Sequence, residues 1–150
     1  MEDIQSFKVD HTKLGRGLYV SRVDKVGLLS HATTFDLRMK KPYSDVPLKP
    51  QTAHAIEHCL ATYLRNTRRD IIYAGPMGCL TGFYVVVSGT VSVGEIVGSL
   101  IGAFKYILEV EAVPGATKEQ CGNCEFMDLP DAKREAEEYL YVLDDYAMKR

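Results

Sequence analysis

The spacing of hydrophobic residues predicts helices in three parts of the chain. Residues 51–66 contain neither proline nor glycine, and their apolar positions recur every three or four residues, at Ala53, Ile56, Leu60 and Leu64. Pro50 suits the first turn of this helix, because an N–H at that position would have no helical acceptor. Residues 92–109 repeat the pattern at Ile96, Leu100, Ala103 and Ile107. Leu129–Tyr146 predicts a last helix that is charged on one side.

Shorter runs rich in β-branched and aromatic residues predict strands. They lie at Gly17–Val23, Thr33–Met39, Asp70–Ala74 and Gly82–Ser88, with a further short strand at Glu111–Val113. The almost wholly apolar run GFYVVVS at 82–88 is typical of a buried strand. Strands and helices mix without regular βαβ alternation. The sequence therefore predicts an α+β fold, in which an antiparallel or mixed sheet packs with helices in one layered domain over residues 1–150.

Composition narrows the class of protein. The 150 residues carry 18 Lys and Arg against 20 Asp and Glu, a net charge of −2, which argues against nucleic acid as the main partner. No apolar stretch reaches the roughly 20 residues of a membrane span. The first residues lack the basic and apolar regions of a secretory signal. Four cysteines without an export signal are expected to be thiols or metal ligands in a cytoplasmic protein.

The run His54-Ala55-Ile56-Glu57-His58 is the main candidate for chemistry. On a helix, His54 and His58 lie four residues apart on one face, where two imidazoles can reach one metal ion. Glu57 projects near the same face and can move protons without being a ligand. Two histidines held by hydrogen bonds or solvent would give the same motif, and a metal site needs a further ligand.

Cys121 and Cys124 have the Cys-x-x-Cys spacing, which suits half of a zinc knuckle or a redox dithiol. Cys121 precedes Gly122 in a predicted loop, from which a thiolate can be presented to a distant helix. A His-His-Cys set would leave a fourth position open, as in catalytic metal sites. For Cys124, the favoured interpretation is a small buried apolar residue.

Cys79 follows the predicted turn Pro76–Gly78, where a small substrate can reach it. A nearby metal cation and the N–H groups of the turn would lower the pKa of its thiol and make it a proton carrier. The alternative is a core cysteine. Cys59 lies about 140° round the helix from His54, so it is expected to be structural.

Five motifs in order resemble the S-ribosylhomocysteine lyase family, which produces autoinducer-2. They are Ser-Phe-x-x-Asp-His-Thr from Ser6, Phe-Asp-Leu-Arg from Phe35, His-x-x-Glu-His from His54, Pro-Met-Gly-Cys-x-Thr-Gly-Phe-Tyr from Pro76 and Gln-Cys-Gly from Gln120. The resemblance covers nearly the whole chain, and five ordered motifs are far more specific than any one of them.

The resemblance implies cleavage of S-ribosylhomocysteine to homocysteine and 4,5-dihydroxy-2,3-pentanedione, the autoinducer-2 precursor of quorum sensing, by metal-assisted carbonyl migration and β-elimination. It implies a divalent metal in each subunit, natively Fe²⁺ and replaceable by Co²⁺ or Zn²⁺, with the ligands His54, His58 and Cys121. The implied acid/base pair is Glu57 and Cys79. The active site would be shared between the subunits of a homodimer, and its substrate-binding residues would be Ser6, His11 and Arg38.

Three positions depart from the family pattern. Tyr73 stands where the family usually has an aspartate at the substrate site, and Gly75 stands where a serine is usual. The strand at Gly17–Val20 lacks the usual proline before its tyrosine. These departures bear on recognition of the homocysteine end of the substrate, whereas the implied metal ligands and proton carriers are all present.

Two other functions fit the same residues. An inverted His-x-x-Glu-His zinc metallopeptidase would take its third ligand from an acidic residue on a later helix, such as Glu135, and would keep its metal without Cys121. A non-catalytic binding module stabilised by a metal would unfold when the metal is removed and would show no turnover.

Overall fold

A computed structural model describes residue 4 and residues 7–148 of the chain. Over these residues, four strands and three helices follow one another as β1 (Gly17–Lys25), β2 (His31–Arg38), α1 (Pro50–Thr67), β3 (Ile71–Pro76), β4 (Gly82–Ser88), α2 (Val93–Glu109) and α3 (Leu129–Met148). The three predicted helices are confirmed to within two residues at each end. The four longer predicted strands are confirmed as well, and so is the α+β class.

The four strands form one antiparallel sheet in the order β1-β2-β4-β3. Arg38, the last residue of β2, is paired with Gly17 on one side and with Gly82 on the other. The chain between β3 and β4 therefore turns at the edge of the sheet where β2 ends. This register places Arg38 beside the residues of that turn, which include Cys79.

The core lies where α1, α2 and α3 pack on the sheet and on one another. All the apolar residues predicted to face inwards from the first two helices are buried, and the central strands add Phe35, Leu37, Phe83, Val85 and Val87. Burial of each leucine, isoleucine, valine or phenylalanine among them contributes about 1.5–3 kcal/mol. The helix that carries His54 and His58 is thus anchored along its opposite face by the core.

Helix starts follow the local sequence. Pro50 occupies the first turn of α1, as predicted, because proline lacks the N–H that would have no acceptor there. At the start of α2, the backbone N–H of Ser92 donates to the Glu95 carboxylate at 2.8 Å, which completes a capping box.

The predicted strand at Glu111–Val113 is wrong. The connection between α2 and α3, residues 110–128, is irregular throughout. Pro114 has no N–H for a strand ladder, and Gly115, at φ 70°, turns the chain immediately afterwards. In the part of the chain that the structure describes, no helix has both the length and the apolar character to cross a membrane.

Candidate active site

Three potential metal ligands converge between α1 and the connection 110–128. His54 and His58 project from one face of α1 with their ring centroids 4.9 Å apart, and Cys121 comes from the connection. The donor atoms of all three residues lie within 4.8 Å of one another, and all three residues are half-buried. The fold therefore brings together the His-His-Cys set proposed from the sequence.

Backbone carbonyls orient both imidazoles. Nδ1 of His54 lies 2.8 Å from the carbonyl oxygen of Phe126, and Nδ1 of His58 lies 2.9 Å from that of Pro114. Because a carbonyl can only accept, each Nδ1 carries a proton, so in the neutral imidazole the lone pair available for a metal is on Nε2. Gly115 allows the close approach to His58, since a Cβ at this left-handed position would lie 3.3 Å from Nδ1 of that ring.

A local turn holds Cys121 towards His54. The N–H of Cys121 donates to the Thr117 carbonyl at 2.9 Å, and the N–H of Asn123 donates to Cys121 Sγ at 3.4 Å. The sulfur lies 3.5 Å from Nε2 of His54. Two imidazoles and a thiolate suit Fe²⁺, Co²⁺ or Zn²⁺ better than Mg²⁺ or Ca²⁺, and three protein ligands leave a coordination position open. The donor set therefore fits a catalytic divalent metal.

Glu57 lies on α1 between the two histidines and is half-buried. Three residues of helix place it about 60° round the axis from His54. Among the residues described by the structure, its carboxylate has neither a hydrogen bond nor an ion pair. It is therefore free to exchange protons with a molecule bound beside the histidines.

A second group of functional side chains surrounds Cys79, in the turn between β3 and β4. Arg38 is almost fully buried, with 1% of its surface exposed, and its guanidinium pairs with Asp36 at 2.5 Å. The same guanidinium donates to Thr81 Oγ1 at 2.6 Å and lies 4.0 Å from Cys79 Sγ. Thr81 Oγ1 lies 3.0 Å from that sulfur. Arg38 is thus a fixed, buried cation beside an exposed thiol.

These surroundings lower the pKa of the Cys79 thiol. Partial burial alone would raise that pKa, but the hydrogen bonds with Thr81 and the charge and hydrogen bond of Arg38 outweigh it. Since Cys79 is also exposed, its thiolate is accessible and forms at a lower pH than that of an ordinary thiol. Cys59 is the opposite case, because burial raises the pKa of its thiol to about 11. Its predicted structural position is confirmed.

Cys79 lines two cavities. The first, of about 340 Å³, is also lined by Arg38 and His11. The second, of about 450 Å³, is lined by His11, Phe7 and other residues. His11 and Arg38, two of the predicted substrate-binding residues, therefore lie in cavity walls beside Cys79. Ser6, the third predicted substrate-binding residue, lies outside the described residues.

The three candidate metal ligands form one group, called the metal cluster. The residues around Cys79 form a second, separate group within the same chain. Neither of the two cavities at Cys79 is lined by a residue of the cluster or by Glu57. Between the two groups, as far as the chain is described, there is neither a hydrogen bond nor an ion pair. A single chain therefore brings together the three candidate ligands, and separately Cys79, Arg38 and His11, but it does not join the two groups.

Several contributors to these groups escaped prediction from the sequence. The pairing of Asp36 with Arg38 could have been predicted, since residues i and i+2 of a strand share a face and an Asp-x-Arg pair can form there. The contact of Thr81 with Cys79 was only weakly indicated, by a hydroxyl residue two positions after the cysteine. The roles of the Pro114 and Phe126 carbonyls could not be predicted, because every residue has a carbonyl and only the fold determines which of them contacts a histidine.

The structure does not support the interpretation of Cys124 as a core residue, nor Glu135 as a ligand in the peptidase alternative. Cys124 is half-buried in the wall of a cavity of about 300 Å³ and is not part of the core, because the turn at 122–125 lies at the surface. Glu135, the third ligand in the peptidase alternative, is buried and forms ion pairs with Lys40 and Arg134. It is therefore committed to neutralising those cations.

The departures at Tyr73 and Gly75 are coupled. The ring of Tyr73 lies over Gly75, where a Cβ would collide with it. About half of the Tyr73 surface is exposed. A glycine at 75 thus makes room for an aromatic side chain at 73, and the two changes act as one.

Together, the fold and these two groups define an α+β enzyme with a reactive thiol and a candidate metal site. A family model described as S-ribosylhomocysteinase (LuxS) matches residues 4–148. An S-ribosylhomocysteine lyase of Desulfotalea psychrophila is 47% identical over 99% of this chain and 96% of its own length. Those of Phocaeicola vulgatus and Porphyromonas gingivalis are 44% and 45% identical, over 99% and 98% of this chain and 94% of each relative.

The chain belongs to the S-ribosylhomocysteinase (LuxS) family. The resemblance seen in the five sequence motifs is thereby confirmed, and the predicted enzyme class, a carbon–sulfur lyase, follows from that membership. The family match extends over both groups of functional residues, so both are parts of one enzyme.

Proposed function

We propose that the protein cleaves S-ribosylhomocysteine to homocysteine and 4,5-dihydroxy-2,3-pentanedione, as a single catalytic domain over residues 1–150. The observation that carries the proposal is the juxtaposition of a His-His-Cys donor set with a free Glu57 on one surface, in a chain that also presents an acidified Cys79 thiol. The relatives named for this reaction match nearly the whole chain.

In this proposal, His54, His58 and Cys121 hold one divalent metal per subunit, with Fe²⁺ as the native ion and Co²⁺ or Zn²⁺ as replacements. Support comes from the borderline-soft donors and the Nε2 lone pairs that the carbonyl contacts leave free. When bound, such an ion supplies Lewis-acid stabilisation to negative charge that develops on sugar oxygens.

Cys79 and Glu57 hold and move the protons of the reaction. The sugar carbonyl must migrate from C1 to C3 before the thiol can be eliminated from C5, and each of these steps removes a proton from carbon. A thiolate at Cys79 can accept such a proton, since Thr81 and Arg38 favour the charged form. Glu57 can return protons from the opposite side, because its carboxylate has no competing partner among the described residues.

The residues around Cys79 bind the substrate in this proposal. Arg38, held by Asp36 and Thr81, presents a fixed cation, and His11 lines the same cavities. Ser6 joins them by resemblance alone. Fixed partners of this kind keep the reacting carbon beside the thiolate, which is how positioning lowers a barrier.

We further propose a homodimer whose two active sites lie at the interface. Each chain has a metal-ligand group and a Cys79 group that do not meet, and a two-fold dimer can bring each group against the other group of the partner. The exposed apolar side chains of Phe7 and Tyr43, at 72% and 89% exposure beside Cys79, support this interface. A cytoplasmic location stays a prediction.

The test is release of homocysteine thiol from S-ribosylhomocysteine by iron- or cobalt-loaded protein, followed with a colorimetric thiol reagent. Wild type is expected to release thiol. Cys79→Ala and Glu57→Ala are expected to release none above background while they retain the metal, because neither side chain is a ligand. Metal content by mass spectrometry and circular dichroism serve as controls for folding. Wild type that is folded and metal-loaded but inactive would refute the lyase proposal.

A further inference from the structure

Cys124 is a reactive residue that the proposed mechanism does not use. It lies three positions after the ligand Cys121, and both thiols are half-buried and free. Both line the same cavity of about 300 Å³, together with Gly122, Asn123 and Lys118. A small polar oxidant that enters this cavity therefore meets two thiols.

The local backbone favours contact between these two thiols. Residues 122–125 form a turn, and the N–H of Phe126 donates to the Asn123 carbonyl at 3.1 Å. Cys124 lies within this turn and Cys121 immediately precedes it, so only Gly122 and Asn123 separate the two cysteines, which is the Cys-x-x-Cys spacing of redox dithiols. The N–H of Asn123 donates to Cys121 Sγ at 3.4 Å, so the sulfur already lies over the turn that leads to Cys124.

Cys121 Sγ thus lies between the candidate metal site and the turn that contains Cys124. It lies 3.5 Å from His54 Nε2 on one side and over the turn towards Cys124 on the other. One sulfur cannot form a disulfide and remain a thiolate ligand. A disulfide with Cys124 and coordination of a metal by Cys121 therefore exclude each other.

We propose that Cys121 and Cys124 form a disulfide on exposure to a peroxide, and that this bond withdraws Cys121 from the metal cluster. The inference rests on the metal assignment proposed above. Cys121 Sγ has two possible partners, the metal and the peroxide, which compete for it. Cys124 is then the resolving thiol of a reversible oxidation site built into the metal centre.

The chemistry balances with peroxide as the oxidant. The sulfur of Cys121 attacks the peroxide O–O bond, which breaks, and Cys121 becomes a sulfenic acid as one water is released. The thiol of Cys124 then attacks that sulfur, forms the S–S bond and releases a second water. The two thiols lose two electrons and two protons in all, and the peroxide is reduced to two waters.

The experiment uses zinc-loaded full-length protein, because zinc has no redox chemistry of its own. Trypsin cleavage after Lys118 and Lys133 yields residues 119–133, in which Cys121 and Cys124 are the only cysteines. After treatment with hydrogen peroxide, we expect this peptide to have lost two hydrogen atoms and to resist alkylation. We also expect stoichiometric zinc release to a chromophoric chelator, and dithiothreitol should reverse both changes.

Cys124→Ser is the matched control, since it keeps the three cluster residues. It is expected to bind as much zinc as wild type when reduced and to form no disulfide within the peptide. Excess peroxide should then carry its Cys121 to the sulfinic acid, so dithiothreitol restores no zinc binding. Wild type that gains only oxygen atoms at Cys121, or that forms the disulfide and keeps its zinc, would overturn the inference. Reduced wild type that binds no zinc would overturn the metal assignment first, and the metal release with it.

Discussion

The metal-ligand group and the Cys79 group are built by different means. The ligand group is a local helical motif whose orientation comes from backbone carbonyls, since Pro114 and Phe126 each accept from one histidine. The Cys79 group depends on the register of three strands and on a buried ion pair between Arg38 and Asp36. The first group is thus fixed by neutral dipoles and the second by charge.

The difference between the two groups reflects the chemical property that each of them requires. A ligand set needs neutral imidazoles with free Nε2 lone pairs, and carbonyl acceptors provide them without adding charge. A proton carrier, the role proposed for Cys79, needs a thiol that ionises readily, and the Arg38 charge and the Thr81 hydroxyl lower the pKa of that thiol. Substitutions in the two groups should therefore fail in different ways.

The largest effect is expected from loss of a ligand. Cys121→Ser should lose the metal and reduce thiol release to background, because a hydroxyl is a poor replacement for a thiolate. Metal content after gel filtration and thiol release measure the two losses. Cys124→Ser is the matched control and should keep its metal. If Cys121→Ser kept a full complement of metal, the His-His-Cys assignment would be wrong and an acidic third ligand would be favoured.

An intermediate effect tests whether the two groups meet across a dimer. Cys79→Ala and His58→Ala should each be inactive alone, but after unfolding and refolding together they should recover roughly a quarter of wild-type activity. Random pairing makes half of the dimers mixed, and each mixed dimer has one undamaged composite site.

The control for this experiment is a mixture of Cys79→Ala with Arg38→Met, which damages the same group in both chains. It should recover nothing. A Cys79→Ala and His58→Ala mixture that also stays inactive, although mixed dimers form, would place the whole site within one chain. An active monomer would do the same.

The smallest effect concerns the protonation of Cys79. Thr81→Val should raise the pKa of that thiol, because it removes a hydrogen bond that favours the thiolate. The pH profile of alkylation should therefore move to higher pH. The rate at neutral pH should fall roughly two- to tenfold, which corresponds to a hydrogen bond of about 0.5–1.5 kcal/mol.

Alkylation of the tryptic peptide 70–105, which contains Cys79 as its only cysteine, measures this rate. Thr81→Ser keeps a hydroxyl and should resemble wild type. An unchanged profile in Thr81→Val would assign the lowered pKa to Arg38 and to the backbone hydrogen bond of residue 81, which valine keeps.

The fold was largely predictable because its signals are local. The apolar stripe of α1 and the run GFYVVVS of β4 each carry their own periodicity. The strand predicted at Glu111–Val113 failed because only Val113 of its three residues favours a strand, and so short a run forms a strand only when a neighbouring strand pairs with it. Strand pairing is a property of the whole sheet, so a short run cannot reveal it.

The grouping of the three candidate ligands was predictable from the sequence, and the electrostatics around Cys79 were less so. His54 and His58 share a helix face by spacing alone, whereas spacing left a core position open for Cys79. Its reactivity depends on Arg38, which lies 41 positions away in sequence and becomes its neighbour only through the register of β2 with β4. The family resemblance implied that Arg38 binds substrate, but nothing in the sequence indicated that its side chain is buried.

The carbonyl contacts of the connection 110–128 have a consequence for the length of the chain there. Pro114 and Phe126 are each tied to a histidine of α1, and Cys121 is held beside His54 between them. Surface loops usually tolerate insertions, but one added residue between 115 and 125 would move a carbonyl or a sulfur out of reach of its histidine. In this irregular stretch, the number of residues between the three attachment points is therefore as constrained as the identity of the ligand.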